Sequence, residues 1–223
     1  MLANIDNQLV ISIPSALKLI GIITGLWGIL VVLSATLAYL PAHPDFSLFT
    51  TYLSDIGDTV GWPQILFNSG TLIAAPMRYL VIVLVVLRLT QLSPGRKFAV
   101  SALIIGFISS SGTVLMTATP FSVSPSIHKL GIPLYFFGVV FLQTFIFIKE
   151  WSSKHIPKIL PMLSLLLVAV FLVFAILVML NAKGIVSRST PVIWEWLCFV
   201  ISIVWVFSQC IMLANVRSAP TKE

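Results

Sequence analysis

The sequence predicts an all-α, polytopic membrane bundle of six transmembrane helices with both termini cytoplasmic, and three observations predict it. Of the 223 residues, 58% are hydrophobic and 9% charged, with a mean hydropathy of +1.07, far from the composition of soluble domains. Six stretches reach the roughly 20 apolar residues that a spanning helix needs. Lys and Arg fall unequally on the two sides of the alternating topology that these stretches define.

The first span runs from about Ser15 to Leu40. Met1 to Pro14 carries no positive charge, and the apolar run that follows is too long for the core of a cleavable signal peptide, so this segment reads as a span. Ile65 to Leu89, Phe98 to Ala118 and His128 to Ile148 are the second to fourth spans. Ile159 to Leu180 and Val192 to Leu213 are the fifth and sixth. The connections are short and rich in Pro, Ser and Gly, as turns between antiparallel helices should be. They leave no room for a soluble domain, so residues 1–223 read as one transmembrane domain. No internal repeat stands out, which weighs against an inverted-repeat transporter. Trp62, Trp151, Trp194 and Trp196 fall near predicted span ends, where indole rings anchor helices at the membrane interface. Cys198 and Cys210 are twelve residues apart on one helix, about 18 Å at 1.5 Å per residue. That is too far for a disulfide, and both read as buried apolar thiols.

Orientation follows from the basic residues. Lys18, Arg88, Arg96, Lys97, Lys149, Lys154, Lys158, Arg217 and Lys222 collect on one side, against Lys129, Lys183 and Arg188 on the other. The first side should be cytoplasmic, and the loop carrying Asp55 and Asp58 should face outward or into a lumen. The same bias accounts for the net charge of +6 without a nucleic-acid partner. The basic groups are too dispersed to track a phosphate backbone.

Polar chemistry is scarce, so its placement is informative. The expected outer end gathers Ser54, Asp55 and Asp58 in the first loop, Asn68 one turn into the second span, His128 opening the fourth and Glu195 one turn into the sixth. Each has an ordinary reading. Asp55 or Asp58 can be solvated or cap a short helix, and His128 can satisfy backbone groups at a helix start. Glu195 can pair with Lys183, Arg188, Lys129 or His128. Together they outline a candidate outer polar site, and Glu195 is its sharpest member, because an ionised carboxylate in hydrocarbon costs a few kcal/mol. No tight metal-ligand spacing occurs and no nucleophile elbow is present, so neither a metal nor a cofactor is expected. Arg78 lies ten residues before Arg88, about 15 Å up the second span and near the midplane. Its expected acceptors are the run Ser109-Ser110-Ser111-Gly112-Thr113 in the third span or Gln143 in the fourth. Pro76 should kink the second span beside it.

Taken in order, Tyr52-Leu53-Ser54-Asp55-Ile56-Gly57, then Trp62-Pro63-Gln64 and Phe67-Asn68, His128, and Glu195-Trp196 resemble the damage-regulated autophagy modulator (DRAM) family. That family includes the fibroblast-growth-factor-receptor-activating and Sfk-type proteins. Leu66-Phe67-Asn68-Ser69-Gly70 is also similar to a bacterial six-span family of unknown function. The resemblance covers nearly the whole chain. It implies six spans with cytoplasmic ends and a role in lipid handling, with no catalytic residues to carry over.

Three functions suit such a chain. The leading expectation is a non-enzymatic, lipid-interacting or regulatory membrane protein whose outer polar site meets a membrane lipid. An intramembrane lipid-modifying enzyme would use His128 or an Asp–His pair as base and Glu195 as acid or ligand. A small-solute or proton-coupled transporter would use Arg78 and Glu195 as intramembrane charges. A second copy or another membrane protein is a further candidate partner, and plasma membrane and endomembranes are both open.

Overall fold

The computed structural model describes residues 12–120 and 122–216. The readings that rest on residues 1–11, Arg217 and Lys222 lie outside these described residues. Helices α1 (Ile13–Tyr39), α3 (Trp62–Leu92), α4 (Arg96–Ala118), α5 (Pro125–Ser152), α6 (Ile159–Ala182) and α7 (Val192–Ser208) are the long elements, and a six-residue helix α2 (Leu53–Asp58) lies between α1 and α3. A 3₁₀ turn, Leu40–Ala42, ends α1, and a π segment, Gln209–Leu213, extends α7. Six segments, α1 and α7 with these extensions and α3 to α6, are long and apolar enough to cross a membrane. They match the predicted spans to within a few residues at each end.

Local chemistry explains the helix starts. Pro stands in the first turn of α1, α3 and α5, where its missing N–H has no intrahelical partner to lose. At α1, Ser12 Oγ accepts from the Ser15 N–H at 3.4 Å, an N-cap contact. Helix α3 continues through Pro76.

Each long helix packs on its successor, and α7 returns to α1, so the six form a ring in chain order. Within each span 28–39% of the residues are buried inside the bundle, and Leu26, Leu33, Phe107, Phe141 and Met179 point outward. Helices that are apolar all round and more than half unburied suit a lipid surround. The closest crossing joins α4 and α5. A Cβ on Gly112 would lie 2.5 Å from the Tyr135 backbone nitrogen, and one on Gly131 would lie 2.7 Å from the Gly112 carbonyl oxygen. Small residues permit that approach where lipid offers no hydrophobic drive between helices.

The bundle has two unlike ends. At the basic end, Leu17, Val85, Leu89, Leu142, Ile146, Leu160 and Leu213 belong to one large buried cluster. Arg88 reaches across it to the carbonyls of Leu213 and Val216. At the opposite end, hereafter the cap end, a smaller cluster of Val32, Ala35, Tyr39, Leu53, Ile56, Val192 and Trp196 seats α2. Trp196 corrects one expectation: it is buried at 9% exposure and donates through Nε1 to the Thr51 carbonyl at 2.9 Å, so it belongs to the core. Trp194 is half-buried against the main core. Trp62 and Trp151 are exposed at span ends, as anchors would be. Cys198 and Cys210 are free and buried.

Candidate functional site

The cap end is built around the backbone of α2. A helix this short leaves its first N–H groups without intrahelical acceptors, and two carboxylates from different parts of the chain supply them. Asp55 reaches back from the first turn of α2 and accepts from the Tyr52 N–H at 2.9 Å. Glu195, from α7, accepts from the Leu53 N–H at 2.6 Å, and the Ser54 N–H and hydroxyl are also its partners. Both carboxyl groups lie at the positive end of the helix dipole. Of the cations considered for Glu195, Arg188 goes instead to Asp55, at 2.6 and 2.7 Å to its two oxygens.

Further bonds fasten α2 from other sides. Arg188 lies over the Tyr52 ring at 4.8 Å, and the Tyr52 hydroxyl donates to the Arg188 carbonyl. The bonds to Asp55 hold the Arg188 guanidinium above its ordinary pKa, and burial pushes the Tyr52 phenol up. Asn68 Nδ2 donates to the Gly57 carbonyl at 2.8 Å. Asp58 accepts from the Ser122 N–H and hydroxyl, at 3.2 and 2.7 Å, tying α2 to the α4–α5 loop. His128 Nδ1 lies 3.1 and 3.2 Å from the carbonyls of Met116 and Thr119 at the end of α4.

Beneath α2 lies a cavity of about 560 Å³. Ser54, Asp55, Asp58, Asn68, His128 and Glu195 all line it, so the structure brings the sequence-derived set to one space. Its walls descend through Val31, Phe67, Phe136, Phe171, Phe174 and Phe199, and Arg78 and Gln143 line it deeper down. Arg78 Nη2 donates to Thr113 Oγ1 at 2.9 Å and to Ser109 Oγ at 3.3 Å, within the run the sequence pointed to. The guanidinium carbon sits 4.9 Å from the centre of the Tyr135 ring. Ser110 is buried beside this cluster but outside the cavity lining, its Oγ unpartnered, and the Gln143 amide oxygen is unpartnered too.

Sequence reasoning missed a second polar centre. Glu150 is wholly buried at the basic end, where Oε1 accepts from Gln209 Nε2 at 2.5 Å and Oε2 accepts from Ser164 at 3.0 Å. Trp205, which lines the cavity, donates to the same Ser164 hydroxyl at 2.9 Å. Gln209 opens the π segment, and π distortions in α-helices often accompany functional positions. Among the described residues, no group of three or more His, Cys, Asp or Glu side chains is arranged to hold a metal ion.

No protein-family model, curated protein or solved structure matches this chain.

Proposed function

We infer that this integral membrane protein holds a lipid or lipid-like molecule in its interior chamber and performs no chemistry on it. The chamber carries the reading. Its volume falls within the roughly 300–1,000 Å³ typical of small-molecule sites, and like them it has mostly apolar walls and a few polar groups. The candidate acid–base groups already have partners: Glu195 and Asp55 bond the α2 backbone, Asp58 bonds Ser122, and His128 meets the end of α4. That occupancy favours binding over catalysis. The motif likeness to the autophagy-modulator family points the same way, toward lipid handling, and the charge bias favours a cap end facing outward or into a lumen. A transporter would need a polar route onward from the chamber, and the packed cluster around Leu89, Ile146 and Leu213 weighs against one.

The test is co-purification. Purified protein, washed in a lipid-free detergent and extracted, should yield one class of lipid near one molecule per chain by mass spectrometry. Ala74→Phe, which puts a ring into the cavity wall, should lower that yield several-fold at an unchanged folded fraction. Equal recovery of bulk lipids from both proteins would overturn the reading.

A further inference from the structure

The guanidinium of Arg78 raises a question of charge. It lines the chamber near mid-span, and its described contacts are the hydroxyls of Ser109 and Thr113 and the side chain of Tyr135. These groups are neutral. Every carboxylate among the described helices is engaged elsewhere: Asp55, Asp58 and Glu195 at the cap end, and Glu150 with Gln209 and Ser164 at the basic end. A cation at this depth costs about 2.5–3.5 kcal/mol or more when no counter-charge accompanies it. Hydroxyls and an aromatic face recover part of that through dipoles, but they leave the net charge in place.

A second observation lies beside it. Gln143 is 4% exposed, its amide oxygen has no partner, and it lines the same cavity. An amide can turn to present either its acceptor or its two donors, so Gln143 can meet an oxyanion as readily as a hydroxyl. The surrounding Phe136, Phe171 and Phe174 are apolar, and the volume suits a single hydrocarbon chain better than an intact two-chain lipid.

We propose that the chamber binds a single-chain anionic amphipath, with its oxyanion on Arg78 and Gln143 and its chain along the aromatic wall. This rests on the reading of the chamber as a lipid-holding site and adds the charge, chain number and depth of the ligand. A carboxylate and a phosphate monoester share the required chemistry, since each offers paired oxygens to a guanidinium fork.

The experiment compares radiolabelled palmitate, 1-palmitoyl lysophosphatidate and hexadecanol on the full chain in neutral phosphatidylcholine nanodiscs, with empty nanodiscs subtracted. Either anion, or both, should bind at least tenfold more tightly than hexadecanol, and Arg78→Gln should bring that ratio down to near one. Which anion binds more tightly separates a fatty-acid source from a phospholipid one. Equal binding of all three, indifferent to Arg78→Gln, overturns the proposal and leaves the lipid-holding chamber intact. Binding of none overturns both. The anion-to-alcohol ratio on the unaltered protein decides the matter even if Arg78→Gln does not fold.

Discussion

Glu195 survives beside hydrocarbon because the amides at the start of α2 are fixed dipoles that take the place of water. Its cost in a lipid environment was visible from Trp194-Glu195-Trp196 alone. Its partner was not, because a backbone N–H some 142 residues away leaves no mark in a side-chain pattern. The opposite failure occurs at Glu150. Lys149-Glu150-Trp151 reads as a membrane-surface rim, yet the helix turns Lys149 toward the Ser93 hydroxyl and Glu150 inward to Ser164 and Gln209. Arg78 was the most legible of the three, since an intramembrane guanidinium must find acceptors and the nearest small polar run was plain in the sequence. At this scale Glu195→Ala should destabilise the fold by about 1–3 kcal/mol, the cost of leaving buried donors unsatisfied. Glu195→Gln, which retains an acceptor, should cost less than half as much. Thermal unfolding in detergent, together with hydrogen exchange at the Leu53 amide, would check both, and equal losses would mean that the negative charge, which both variants lack, matters more than the retained acceptor.

Among the elements, the α4–α5 crossing and α2 show how differently strength is distributed. The crossing relies on absent side chains: Gly112 and Gly131 meet backbone atoms, which cannot turn aside as a flexible side chain can. Gly112→Leu should therefore splay the pair and cost at least the roughly 1–3 kcal/mol of an overpacked core, with loss of monodisperse protein on size exclusion as the readout. Helix α2, in contrast, adds bonds to its seat on the smaller apolar cluster. Its ion pair to Arg188 joins side chains that are 59% and 31% exposed, so that bond contributes no more than about 1 kcal/mol. The long helices were legible because span length and hydropathy depend on composition. Helix α2 was legible only as a turn with capping residues, because six residues carry too little periodicity to announce a helix.

For the whole molecule, the two ends differ in what holds them shut. At the basic end a large apolar cluster surrounds the buried bonds of Arg88 and Glu150, while at the cap end polar bonds from α3, α7 and two loops add to a smaller apolar cluster. The two free thiols report on this difference, since Cys198 lines the chamber and Cys210 is packed against Gly21 toward the basic end. Combining Asp55→Asn with Glu195→Gln should speed modification of Cys198 by a membrane-impermeant maleimide about tenfold, as expected if roughly 1.4 kcal/mol of fastening is lost. Cys210 should stay protected in both proteins. Equal acceleration at both thiols would indicate general loosening rather than release of the cap.

The fastening of α2 also orders events in time. A chain that enters the membrane from its N-terminus presents Leu53 and Asp55 long before Arg188 and Glu195 exist to meet them, with 142 and 133 residues separating the bonded pairs. Until the last helix is inserted, the first amides of α2 have no carboxylate from α7 to accept from them, and the mouth of the bundle stands open. The full set of bonds to this short helix therefore needs the last span, and a fully fastened α2 marks a closed ring.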